Sequence, residues 1–321
     1  EILKLAEKAE NEEVSLIAFP ELSVTGYTCA DLFGQEILIR KAEEGIKEIK
    51  AFSRGRKVTI VVGVPVRVRG RLYNCAAVIQ NGSLRGLVPK IHLPSYNEFY
   101  ETRWFASGAD FISREGLPEG HLRDDGKNCH FESGAESILY AGHKVTISPN
   151  ILFSLSHSTF AIEICEDLWT PAPPSSYHAL AGADIIVNLS ASNEVLMKHQ
   201  YRKSLIGQQS ARTVSAYIYS SCGFGESTQD LVFAGSSMIY ENGSLMAENE
   251  RFTLGNSMIT ADIDVNKLHT LRQQKSTYHL ISPVGERDAE LADSYLRIPA
   301  GSGADTDFNA RLLRHIEAHP F

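Results

Sequence analysis

With 321 residues, 43% hydrophobic and 22% charged, the chain can bury a sizeable core and has the length of one large domain or two small ones. Its formal net charge of -8, with no basic stripe, argues against nucleic acid or an anionic membrane as partner, since neither polyanion attracts a net acid. Five scattered cysteines without CxxC or paired-histidine spacing suggest neither a disulfide framework nor a metal site; with no signal peptide or long apolar run to be read, a reducing cytoplasm is the expected compartment.

Ile2, Leu5, Ala6 and Ala9 fall at helical spacing, so the chain opens inside an amphipathic helix and the strand expected before it is missing. Residues 14–22 form a continuous apolar strand, with Glu21 at its exit. A helix over 35–53 puts Ile39, Ala42, Ile46 and Ile49 on one face. Strands over 59–66, 72–80 and 84–88 follow, joined at Gly70 and at Asn81-Gly82, which is hairpin chemistry; Lys90 lies just beyond the last. Residues 91–115 are loop-rich and aromatic (Tyr96, Phe99, Tyr100, Trp104, Phe105), the composition of a wall around a site or equally of a surface loop packed down by its own rings. Residues 116–144 read as an irregular excursion leading to a strand over 151–155.

The stretch 158–170 organises the rest. Its β-branched first half (Phe160, Ala161, Ile162, Ile164) reads as a buried strand, and Cys165 stands where that strand runs into a turn ending at Pro171. Glu163, Glu166 and Asp167 surround the thiol, and carboxylates raise a thiol's pKa unless a cation or base answers them. A reactive cysteine here therefore needs a base and a cation from elsewhere; the alternative is a buried structural cysteine beside a solvated acidic turn.

Beyond it, a short helix over 175–181 ends at Gly182, and residues 183–189 are a buried strand. A helix over 194–212, a strand over 213–221, a hairpin of 231–240 with 245–248 about Asn242-Gly243, and a strand over 257–263 follow. Asp264 is a helix cap, and residues 300–307 form a Gly/Ser/Asp linker to a helix over 305–318. The second hairpin echoes the first, so two halves of helices and strands suggest two stacked sheets with helices outside. Glu21, Lys90 and Cys165 each lie just past an apolar strand, and parallel strands would deliver all three to one edge of one sheet. A thiol nucleophile, a carboxylate that takes and returns its proton, and an ammonium that holds an oxyanion together suffice for amide hydrolysis.

Phe19-Pro20-Glu21-Leu22 with Thr25-Gly26-Tyr27, Pro89-Lys90 with Leu93-Pro94 and Tyr96, and Glu163-Ile164-Cys165-Glu166-Asp167-Leu168-Trp169 resemble the nitrilase (carbon-nitrogen hydrolase) superfamily with its Glu-Lys-Cys triad. Phe99-Tyr100-Glu101, Asn188-Leu189-Ser190-Ala191-Ser192, Gly225-Glu226-Ser227-Thr228 and Asp230-Leu231 narrow the resemblance to the glutaminase domains of bacterial glutamine-dependent NAD synthetases. The resemblance implies an α/β fold, a four-layer α-β-β-α sandwich of two mixed sheets over residues 1–299. Residues 300–321 would lead to an absent ATP-dependent synthetase domain.

It implies Glu21 as general base, Lys90 as oxyanion stabiliser, Cys165 as the nucleophile forming a γ-glutamyl thioester, and Glu101 orienting the substrate or Lys90. Tyr96, Glu166, Trp169, Ser192 and Lys198 fall where such domains bind glutamine, with Glu166 suited to an α-amino group and Lys198 to an α-carboxylate. Lys198 stands where arginine is expected, and Trp169 where phenylalanine is. No Ser-Gly-Gly-x-Asp-Ser pyrophosphate loop exists here, and Gly223-Phe224-Gly225 is too short to be one. The expectation is thus a glutaminase half needing no cofactor of its own, with ATP, Mg and deamido-NAD belonging to the missing domain and a homo-oligomer as the assembly. Alternatives are another amidase or carbamoyl hydrolase of the superfamily, or a non-catalytic oligomerisation module.

Overall fold

A computed structural model describes residues 1–112, 135–280 and 295–300. In chain order the elements are α1 (Ile2–Asn11), β1 (Leu16–Ala18), α2 (Glu36–Phe52), β2 (Thr59–Val68), β3 (Arg71–Gln80), β4 (Ser83–Pro89), β5 (Glu136–Tyr140), β6 (His143–Ile147), β7 (Ile151–Ser154) and β8 (Thr159–Ile164). They continue with α3 (Pro174–Leu180), β9 (Ile185–Ser190), α4 (Lys198–Thr213), β10 (Ala216–Ser221), β11 (Met238–Glu241), β12 (Ser244–Glu248), α5 (Val265–Gln274), α6 (Ser276–Leu280) and β13 (Leu296–Pro299).

The strands form two mixed sheets. The first has the order β1-β2-β3-β4-β6-β5 and the second β12-β11-β10-β9-β8-β7-β13. Side chains alternate across each strand, and that period sorts the core into layers. Val61, Ala76, Val78 and Val88 leave the first sheet to meet Phe153, Phe160, Ile162, Ile164 and Val187 of the second, so the sheets pack face to face. On the opposite face of the first sheet, Ile60, Val62 and Val64 receive Ala6 and Ala9 of α1 and the stripe Ala42, Ile46 and Ile49 of α2. Outside the second sheet, Ala161, Ile186 and Tyr217 pack with Ile206 of α4. The result is the expected four-layer α-β-β-α sandwich. Each buried Val, Ile or Phe contributes about 1.5–3 kcal/mol.

Both Asn-Gly turns are as expected, with Asn81 and Asn242 at φ +45 and glycines following in the left-handed region. Asp264 caps α5, its Oδ1 accepting from Lys267 N–H at 2.9 Å.

Other expectations need correction. The triad does not sit on one edge of one sheet: Glu21 and Lys90 follow β1 and β4 of the first sheet, whereas Cys165 follows β8 of the second. Residues 136–147 form the β5–β6 hairpin rather than an irregular excursion, and β13 pairs parallel with β7. Residues 231–237 and 257–263 are not strands, and the apolar stretch 14–22 is a strand only at Leu16–Ala18. Helix α4 begins at Lys198 rather than at 194, because Met197 takes a left-handed φ of +67. It then runs to Thr213, so β10 starts at Ala216. The expected helix over 305–318 lies outside the described residues. Among the described residues no helix is long and apolar enough to cross a membrane.

Candidate active site

The turn that carries Glu21 lies directly on β2. It is pinned by Val24 N–H to Gly63 O at 3.0 Å and Gly63 N–H to Ser23 Oγ at 3.1 Å. Only glycine permits this approach, since a Cβ at Gly63 would stand 2.1 Å from Leu22 N. Lys90, the first residue after β4, donates its backbone N–H to Asn74 O at 2.8 Å and accepts from Gly108 N–H at 2.7 Å. These bonds send its side chain inward, where it is fully buried.

Lys90 Nζ donates to Glu21 Oε1 and to Glu101 Oε1, both at 2.7 Å. Asn74 Nδ2 also donates to Glu21 Oε1, at 2.6 Å, and the Tyr27 hydroxyl donates to Glu101 Oε1 at 2.8 Å. Burial by itself would push Lys90 down, but the Glu101 and Glu21 charges reverse this and hold it well above its ordinary value. Burial pushes the Glu101 carboxyl up to about 7, with Glu21 pushing the same way and Lys90 pulling against both. An ammonium between two buried carboxylates is a fixed charged cluster, and removing one member would leave a charge unpaired.

Cys165 opens a 3₁₀ turn, Cys165–Trp169, in the left-handed region at φ +46. Burial foremost and the Glu21 charge next push its thiol up to about 12, while Lys90 and the Ser190 hydroxyl pull it down. The sulfur therefore rests protonated near neutral pH and must lose its proton to a base as it attacks. The three nearby acids do not act together on it. Asp167 caps the turn, accepting from Ile164 N–H at 3.0 Å and from His92 N–H at 2.8 Å. Glu163 accepts from Ser175 N–H at 2.8 Å and from the Tyr217 hydroxyl on the helix-facing side of the sheet. Of the three, Glu166 alone lines the cavity in front of Cys165.

That cavity is about 310 Å³ and brings together all five expected substrate residues, Tyr96, Glu166, Trp169, Ser192 and Lys198, with Cys165. The Tyr96 hydroxyl donates to Glu166, 2.9 Å from Oε1 and 3.0 Å from Oε2. Across from it, Lys198 Nζ lies 5.1 Å from the Trp169 ring centroid and donates to Asn193 Oδ1, while Asn193 Nδ2 donates to Glu98 Oε1. A carboxylate on one side and an ammonium on the other match a zwitterion. A larger groove of about 1350 Å³, between β1 and residues 253–265, contains none of these residues. Sequence reasoning missed Asn74, Asn193 and Glu98 and gave no role to Tyr27. The one available signal was an asparagine inside the otherwise apolar strand of Asn74, where a buried amide needs a reason.

A family model for carbon-nitrogen hydrolases matches residues 1–273. Relatives include the glutamine-dependent NAD(+) synthetases of Mycobacterium leprae, 34% identical, and Mycobacterium tuberculosis, 36% identical; each match covers 100% of this chain and 44% of the relative. The chain thus spans less than half the length of these proteins. Among solved structures, a glutamine-dependent NAD(+) synthetase from Cytophaga hutchinsonii aligns with a TM-score of 0.64 at 29% identity, over 79% of this chain and 38% of that one. A carbon-nitrogen hydrolase from Helicobacter pylori G27 shares the fold, with a TM-score of 0.63 at 17% identity over 90% and 91% of the two chains. With the two-sheet sandwich in place and a family match over most of its length, the chain belongs to the carbon-nitrogen hydrolase family.

Proposed function

We propose that this chain is the ammonia-supplying glutaminase part of a glutamine-dependent NAD synthetase, working through a thioester on Cys165. The observation that carries the reading is the buried Glu21–Lys90–Glu101 cluster beside a thiol that opens into a cavity edged by Glu166 and Lys198. Cys165 Sγ attacks the side-chain amide carbon of glutamine while Glu21 takes the thiol proton. Lys90, held in place by Glu101, donates to the oxyanion. Glu21 returns the proton to the leaving nitrogen, ammonia departs and the γ-glutamyl thioester remains. Water then attacks the thioester carbon, with Glu21 as base, and glutamate is released.

Glu166 accepts from the substrate α-amino group, Tyr96 and Ser192 add polar contacts, Lys198 meets the α-carboxylate, and Trp169 walls the apolar stem. ATP, Mg and deamido-NAD act at a separate synthetase domain, which is also the partner that receives the ammonia.

The test is to incubate the purified chain with glutamine alone, then with ATP, magnesium and deamido-NAD. Ammonia and glutamate should form in equal amounts in both mixtures, and NAD in neither. Cys165→Ala should keep the fold and lose all turnover; retained turnover would refute the covalent route. Preference for simple amides or nitriles over glutamine would move the assignment to another activity of the family.

A further inference from the structure

Behind the nucleophile, on the helix-facing side of the second sheet, lies a row of buried polar groups that the thioester chemistry does not use. Glu163 of β8 pairs in register with Asn188 of β9, and Asn188 pairs with Tyr219 of β10. In parallel strands such partners leave the sheet on one face, and Tyr217, two residues before Tyr219, leaves on the same face. Glu163, Asn188 and Tyr217 are each no more than 1% exposed.

They form one directed chain of hydrogen bonds. Cys165 N–H donates to Asn188 Oδ1 at 3.1 Å, Asn188 Nδ2 donates to the Tyr217 hydroxyl at 3.0 Å, and that hydroxyl donates to Glu163 Oε1. Glu163 Oε2 accepts from Ser175 N–H at 2.8 Å. Both Glu163 oxygens are acceptors, so the phenolic proton must point at Glu163. The phenol oxygen is then left to accept from Asn188 Nδ2, and the amide has only its oxygen to offer Cys165. The direction of every bond follows from the carboxylate at the far end.

Burying a carboxylate, a phenol and an amide costs more than filling the same space with apolar side chains. What the arrangement provides is an acceptor for the backbone N–H of a residue held at φ +46, a conformation that non-glycine residues avoid. Neighbouring groups support the sulfur in parallel, since the Ser190 hydroxyl lies 2.6 Å from that of Tyr219.

We propose that Asn188 is a positioning residue for the nucleophile, oriented by Tyr217 and Glu163, which fixes the left-handed turn that aims Cys165 at the substrate carbon. The proposal rests on the reading of Cys165 as the nucleophile. It extends the site to three residues that touch no substrate.

The test is Tyr217→Phe, which removes only the hydroxyl. Three quantities are read: kcat and KM for glutamine, the rate at which iodoacetamide alkylates Cys165 by intact mass, and the circular dichroism spectrum as a check of fold. The expected result is a native spectrum, an unchanged KM, and losses on the order of tenfold to a hundredfold in both kcat and alkylation rate. A folded variant with parental kcat and alkylation rate overturns the proposal. Should Tyr217→Phe fail to fold, Asn188→Ala is read the same way, and failure of both variants to fold makes the row a structural support and also overturns it. If the parent chain is alkylated at Cys165 but hydrolyses no glutamine, the substrate assignment fails while the alkylation comparison still decides the positioning role.

Discussion

Glu163→Gln is a test in which the sign of a pH effect follows from burial. Burial pushes the Glu163 carboxyl from its ordinary 4.5 up to about 7, overriding the hydrogen bonds from Tyr217 and Ser175 that pull it down. The folded protein therefore keeps this proton until about pH 7, whereas the unfolded chain releases it near 4.5. Between these values the native state binds more protons, so stability falls as pH rises, and the full cost persists above 7. At about 1.4 kcal/mol per tenfold, the window amounts to about 3 kcal/mol. Glutamine cannot ionise and lacks this slope. It also turns its amide nitrogen toward Ser175 N–H, two donors facing each other, which costs about 1–3 kcal/mol at every pH. Urea unfolding of parent and variant at pH 4.5, 6, 7 and 8 should show the variant less stable at pH 4.5 and the gap closing or reversing by pH 8. Asp167 and Glu101, also raised by burial, slope the same way in both proteins and cancel in the difference. Parallel curves across the window would refute the reasoning.

Lys198→Ala should raise KM for glutamine by roughly tenfold to a hundredfold, the worth of a charged hydrogen bond, with little change in kcat; Lys198→Arg, able to stack on Trp169, should bind at least as well. Unchanged binding in both variants would place the α-carboxylate elsewhere. Asn74→Ala leaves Glu21 Oε1 with Lys90 alone and should lower kcat on the order of tenfold at constant KM; steady-state kinetics that match the parent would show that Lys90 suffices to hold the base. Gly63→Ala drives a methyl group into the backbone of the turn carrying Glu21, so a stability loss of about 1–3 kcal/mol in urea and a fall in kcat are expected together. A stable Gly63→Ala with full activity would mean the turn can move without consequence.

Periodicity served the sequence reading where one face of an element is buried. Ile39, Ala42, Ile46 and Ile49 marked α2, and the alternation from Thr59 to Pro89 with its Asn-Gly turn marked a meander that the structure reproduces within a few residues. It failed where tertiary context decides. The β5–β6 hairpin carries charged and exposed residues and follows a stretch with no pattern, while the apolar residues of 231–237 and 257–263 pack without forming strands. Glu21, Lys90 and Cys165 were legible because each ends an apolar run. Which sheet each run joins was not, since pairing is set by contacts far apart in sequence. Tyr27, Asn74 and Asn188 stayed hidden for the same reason: their partners lie 74, 53 and 23 residues away.

The division of strands between the sheets follows the chain without interleaving. The first sheet is complete at Ile147, and every strand of the second starts at Ile151 or later. During synthesis the base and the ammonium can therefore be folded into place before the strand that bears the nucleophile has emerged. Until the second half docks, the cluster at Lys90 lacks its cover and the thiol lacks its base. Reactivity would thus be the last property the polypeptide acquires on folding and the first it gives up when the two sheets part.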